Sequence, residues 1–222
     1  MESGRIKNLA REKLNGKYGI IIGIILLSTL ISFAIGGVSG AVDSMVSKVF
    51  GEGISIIGNF IEEVLNIGVL FAILKISRDK TPQVEDLFFG FQNIKRFAGI
   101  ALVYTAINTV LSIPDLFLSE YAAMAWGIIA SIVAVILTFY IALSKYLMID
   151  FKELTVQDAL EKSVELMRGH CIELLVLYLS FIGWCILGVI SCGIGFLWIE
   201  PWMEVAVAIF YQNRISQNET TN

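Results

Sequence analysis

The chain has 222 residues, 56% of them apolar and only 16% charged, with a formal net charge of −4 and a mean hydropathy of +0.77. Soluble domains run at about 45–50% apolar and about 25% charged, so the composition excludes an ordinary soluble fold and points to the bilayer as solvent. The near balance of charge, with basic and acidic residues in separate stretches, argues against a nucleic-acid partner.

Residues 3 to 16 predict an amphipathic helix, with Ile6, Leu9, Ala10 and Leu14 on one face. The apolar run 18 to 41 follows. It is longer than the core of a signal peptide and no small-residue cleavage site follows it, so it reads as an anchor. Gly19 with Gly23 and Gly36 with Gly40 form two G-x-x-x-G pairs, the spacing that permits close helix approach.

The run 54 to 76 is also long enough for a bilayer core, which takes roughly 20 apolar residues, but it carries polar groups. Ser55, Asn59, Glu62 and Asn66 fall on one helical face and Glu63 flanks them. A charge at the centre of a span costs on the order of 3 kcal/mol, against roughly 0.3–0.6 kcal/mol returned by each large apolar residue. This span therefore cannot face lipid all round. Asn59, Glu62, Glu63 and Asn66 form the candidate intramembrane site, because ionisable groups in a membrane mark function by default. Two readings stay open: a cation or proton site or a polar groove for a substrate or lipid headgroup, or else a packing stripe satisfied by Asn108 or Thr105 of the next span or a span displaced toward the outer headgroups.

Thr81 and Pro82 have the character of an N-cap and first helical position, opening a second amphipathic helix at 82 to 96. Val84, Leu87, Phe88, Phe91 and Ile94 face one way, with Glu85, Asp86, Gln92 and Lys95 largely elsewhere. Spans at 97 to 118 and 123 to 148 come next, with Pro114 ending or kinking the first of them. Thr155 with Asp158 is a helix-start signature for a third amphipathic helix at 155 to 168, whose face carries Val156, Ala159, Leu160, Ser163, Val164 and Met167. Helices of this kind lie in the interface, with their basic residues toward anionic headgroups. The last spans are 172 to 190 and 195 to 213. Glu200, Pro201 and Glu204 crowd the start of the final one, so it begins near Phe196 with a kink or stays shallow.

The expected architecture is all-α: one polytopic membrane domain over 1–222, with six transmembrane helices and three amphipathic interfacial helices. Of the sixteen Lys and Arg, only Lys48 falls in a loop on the far side of this arrangement, which puts both termini in the cytoplasm. Lys145 counts among the loop cations on the near side. The chain also divides into three units of about 75 residues, each an interfacial helix plus a hairpin. A true repeat and a simple even-numbered bundle explain that equally well.

Reactive constellations are missing. Cys171, Cys185 and Cys192 have no C-x-x-C spacing and read as buried small hydrophobes. His170 is the only histidine, which excludes a multi-histidine metal centre and leaves a headgroup contact as its role. No catalytic residue, metal ligand or cofactor is expected. Trp126, Trp184, Trp198 and Trp202 suit an interfacial aromatic belt.

Ala10-Arg11-Glu12-Lys13-Leu14-Asn15-Gly16, Asp86-Leu87-Phe88-Phe89-Gly90-Phe91, Ser163 with Met167-Arg168-Gly169, Leu179-Ser180-Phe181-Ile182-Gly183-Trp184, Gly193-Ile194-Gly195, and Pro201 with Phe210-Tyr211 together resemble domain-of-unknown-function family 975. This is an uncharacterised integral membrane family common in Gram-positive bacteria, and it looks distantly similar to the membrane domain of some glycerophosphodiester phosphodiesterases. The resemblance implies a plasma-membrane bundle with no established activity and no catalytic residues to carry over. Two functions are weighed. One is a non-enzymatic module binding membrane lipids, a membrane-protein partner or a second copy. The other is a small transporter or channel subunit using the acidic stripe.

Overall fold

The computed structural model of the chain describes residues 2–45, 48–112 and 120–221. Every element among them is helical. The order is α1 (Glu2–Leu14), α2 (Tyr18–Met45), α3 (Lys48–Ser77), a 3-10 turn (Val84–Phe88), α4 (Phe89–Gln92), α5 (Ile94–Ser112), α6 (Glu120–Ile141), α7 (Ser144–Asp150), α8 (Val156–Met167), α9 (Cys171–Leu179), α10 (Ile182–Ile190) and α11 (Phe196–Thr221). Pro114 and the loop after it lie outside the described residues.

Five stretches are long and apolar enough to cross a membrane: Tyr18–Ala41, Gly53–Ser77, Ile94–Leu111, Met124–Asp150 and Cys171–Ile190. They agree with the first five expected spans. The last two are each broken once, Met124–Asp150 between α6 and α7 and Cys171–Ile190 between α9 and α10. The sixth expected span, 195 to 213, falls in α11, which holds Pro201 inside it and is not among the five helices long and apolar enough to cross, because Glu200 and Glu204 and a polar second half interrupt its apolar run.

Burial divides the molecule into two regions. In α3 the stretch from Val64 to Leu74 is mostly buried, and in α11 Val205 to Tyr211 is buried on every face. A helix apolar and buried all round is a central one. α1, α7 and α8 pack about this core through Ile6, Ala10, Leu14, Leu147, Ala159 and Met167. Elsewhere large apolar side chains stand open, including Phe33 at 79% and Ile190 at 71% exposure. Open apolar area on that scale is a contact surface, here for lipid.

The amphipathic segments sit differently from the sequence expectation. α1 docks on α11, where Trp202 Nε1 donates to the Lys7 carbonyl at 2.8 Å, while Leu9 turns outward. Residues 82 to 96 do not form one helix. Leu87 is buried, but Val84, Phe88 and Phe91 are exposed and Asp86 is only 8% exposed. The cause is a backbone-to-backbone contact with α3: a Cβ on Gly68 would collide with the Leu87 carbonyl, and one on Gly90 with the Val64 carbonyl. That approach turns Asp86 inward, where Lys75 Nζ donates to both its oxygens at 2.6 and 2.8 Å and the Gln83 N–H to Oδ2 at 2.7 Å.

α8 starts as its sequence predicts. The Asp158 N–H donates to Thr155 Oγ1 at 3.2 Å, and Thr155 N–H and Oγ1 donate back to Asp158 Oδ2. These bonds hold the Asp158 carboxyl below its ordinary pKa, the Thr155 hydroxyl contributing most.

Two further expectations are corrected. At Gly19, Gly23, Gly36 and Gly40 an added methyl would meet open space among the described residues, so within that part of the chain the G-x-x-x-G pairs mediate no close helix approach. Cys192 is exposed and Cys171 and Cys185 are partly buried, because the turn after α10 and one flank of α9 and α10 face outward.

Candidate functional site

The polar stripe of α3 is met by a cation that lies in a buried helix rather than in a loop. Lys145, at the start of α7, is only 7% exposed. Its Nζ pairs with Glu63 Oε2, donates to Asn66 Oδ1 at 3.0 Å and lies 3.9 Å from the centroid of the Tyr104 ring. A buried ion pair holds when the remaining donors and acceptors are also satisfied. Here the amide and the aromatic face complete the ammonium's surroundings.

Of the four candidate residues, the structure brings Glu63 and Asn66 together on Lys145. Asn59 and Glu62 are half-buried along the same helix and do not join that centre. Neither expected partner serves the stripe: Asn108 is exposed, and Thr105 Oγ1 is buried with no hydrogen-bond partner among the described residues. Lys145 could have been found in the sequence as a cation inside an apolar run, as costly there as the acids it answers.

Tyr104 ties this centre to the break in the fourth span. Its hydroxyl donates to the Ile141 carbonyl at 2.7 Å, as does Ser144 Oγ at 2.7 Å. Ser163 of α8 closes the rest of the break, accepting from the Leu143 N–H at 3.2 Å and donating to the Tyr140 carbonyl at 2.9 Å. The break in the fifth span is closed in the same manner by α1. Lys7 Nζ donates to the Ser180 carbonyl at 3.1 Å, and Ser180 Oγ donates to the Leu177 carbonyl at 2.6 Å. Freed backbone carbonyls are costly away from water, so α1 and α8 act as caps for interrupted spans.

Between these two broken spans lies a crevice of about 430 Å³, bounded by Val135, Thr138 and Phe139 of α6 and by Leu174, Leu175 and Tyr178 of α9. A neighbouring cavity of about 270 Å³ shares Val135, Phe139 and Leu175 and extends to Tyr140, Cys171 and Ile172. The lining is almost wholly apolar. Phe139 and Tyr178 meet edge to face across it, with ring centroids 5.8 Å apart.

Just before α9, Arg168 is exposed and His170 is half-buried. His170 does not reach outward as a free headgroup contact. Its ring lies 2.8 Å from Arg214 and 3.1 Å from Glu173, and Arg214 donates to Glu173 Oε2 at 2.7 Å. At the other end of α9, Trp202 and Trp184 stack edge to face at 5.3 Å, and Trp202 is partly buried against the core.

A family model for a protein of unknown function (DUF975) matches residues 1–119 and again residues 114–219. No curated protein and no solved structure matches the chain.

Proposed function

We propose, from the premise that this chain belongs to the DUF975 family of proteins of unknown function, that it is a non-enzymatic membrane module holding a phospholipid acyl chain in the α6–α9 crevice. The observation that carries this reading is the crevice itself: about 430 Å³ of apolar space between two helices whose outer faces are already open to lipid. The exposed Arg168 shortly precedes the α9 residues that line it, which favours a phosphate-bearing headgroup beside the chain entry.

In this reading the chain crosses the plasma membrane six times, with both termini in the cytoplasm. For the sixth crossing the support is the apolar part of α11, Phe196 to Tyr211, about 24 Å at 1.5 Å per residue, which reaches across only where the bilayer is thin. The basic outer face of α1, with Arg5 and Arg11 exposed, suits a cytoplasmic leaflet rich in anionic lipid. The transporter reading draws less support, because Glu63 and Asn66 of the stripe are engaged by Lys145.

The test is native mass spectrometry of the protein extracted in mild detergent, with and without Val135→Trp and Leu175→Trp to fill the crevice. Bound phospholipid in the parent and its loss in the filled variant are expected. Equal lipid retention by both would overturn the assignment, and solute flux into proteoliposomes would favour the transporter.

A further inference from the structure

A second cavity, polar rather than apolar, lies where the end of α8 meets α11. It holds about 300 Å³ and is lined by Glu165, by Arg168 and His170 of the turn before α9, and by Arg214, Gln217 and Asn218 of α11. Small-molecule sites begin at about that volume. It shares no lining residue with the two cavities between α6 and α9.

The lining is dominated by donors. A guanidinium carries a planar fork of N–H groups and no acceptor, and the two amides and the imidazole add further donors. Arg214 is only 4% exposed and its plane is fixed: Nη2 donates to Glu173 Oε2 at 2.7 Å, Nη1 lies 2.8 Å from His170 Nδ1, and the guanidinium lies 5.1 Å from the centroid of the Phe210 ring. Glu173 lines a different cavity, with Ser3, Ile6 and Phe210, so its carboxylate holds Arg214 in place without belonging to this lining. Arg168 is exposed and free to close over whatever the fixed guanidinium meets.

The charge of the lining has one sign in excess. Glu165 is its acid, and that side chain is exposed and can turn to water, so two guanidiniums stand against one solvated carboxylate. α9 starts here with His170 as its N-cap and no side-chain cap, which adds the positive end of a helix to the same field. The position also matters. Arg168 and His170 come just before Cys171, the first residue of the fifth span, which is the depth of lipid headgroups.

We propose that this cavity binds a phosphate group, with Arg214 as a preset fork and Arg168 as the second cation. Guanidinium forks match phosphate oxygens in pairs, and no bond is made or broken. The same chemistry is offered by a lipid headgroup ending in phosphate and by inorganic phosphate in solution. The site takes up Arg168 from the lipid reading above and does not need an acyl chain in the α6–α9 crevice.

The test uses the full chain in neutral detergent with two probes: dioleoyl phosphatidic acid, followed by native mass spectrometry, and inorganic phosphate, followed by titration calorimetry. At least one should bind the parent, about tenfold or more weakly in Arg168→Gln, and with unchanged affinity in Lys80→Gln, an exposed cation elsewhere. Binding of phosphatidic acid alone identifies a headgroup as the source, and binding of inorganic phosphate identifies a soluble one; both support the site. Failure of both probes to bind the parent overturns the proposal, as does equal binding by Arg168→Gln, or an equal loss in Lys80→Gln. Leu175→Trp separates the site from the crevice. Phosphatidic acid lost there but kept in Arg168→Gln refutes this site and leaves the crevice standing, whereas the reverse pattern supports this site and refutes the crevice.

Discussion

Lys145 and Glu63 lie 82 residues apart in the chain and form one ion pair, which joins α7 to α3 at the level where Tyr104 of α5 covers the ammonium. Removing one member leaves the other charge buried, at about 3–5 kcal/mol. Lys145→Met and Glu63→Leu should each lower stability by that order in detergent unfolding. The double variant should recover most of the loss, because two apolar side chains replace a pair. If the double variant is as unstable as the singles, the pair is not the unit that matters.

Gly68 should tolerate nothing larger than hydrogen. Alanine there meets the Leu87 carbonyl, a fixed backbone atom rather than a side chain that can move aside, so Gly68→Ala should cost at least the 1–3 kcal/mol typical of overpacking. Gly36→Ala, on an open face of α2, should unfold within about 0.5 kcal/mol of the parent. A comparison of thermal midpoints checks both.

Ser163 closes the α6–α7 break with one hydroxyl that both accepts and donates. Ser163→Ala strands the buried Leu143 N–H, at about 1–3 kcal/mol for a buried group left unsatisfied, and frees the part-buried Tyr140 carbonyl. Hydrogen exchange should show Leu143 and the first turn of α7 losing protection before the rest of the span. Uniform loss across α6 and α7 would mean that the break is held by packing instead.

The α8 cap makes a pH prediction. Asp158 has a depressed folded pKa, chiefly from the Thr155 hydroxyl, so its contribution is full above the unfolded carboxylate value and disappears as pH falls through the folded one. Protection of the α8 amides should therefore weaken in acid, and Thr155→Ala should be weaker at neutral pH with less further change on acidification. An acid response undiminished in Thr155→Ala would place its origin elsewhere.

Five spans were legible because an apolar run of sufficient length is a local property, and the Thr155–Asp158 cap was legible for the same reason. The interruptions at Ala142–Leu143 and Ser180–Phe181 carry no proline and were not legible. They exist because Ser163 and Lys7, distant in sequence, supply the bonds that the backbone gives up. The candidate stripe was half legible. Spacing puts Asn66 on the polar face and Glu63 at its flank, but their partner depends on how α7 crosses α3. Periodicity misassigned residues 82 to 96, since a glycine contact with α3 outweighs the apolar moment of so short a segment.

The most direct test of the membrane-embedded arrangement is cysteine labelling of intact cells with an impermeant reagent. Cys192 is already exposed in the turn after α10, and Arg168 is exposed before α9, so the two flank one span. With Cys171 and Cys185 replaced, Cys192 should label from outside, and Arg168→Cys in a Cys192→Ser background should label only after permeabilisation. Labelling of both from outside, or of Arg168→Cys alone, would contradict the account.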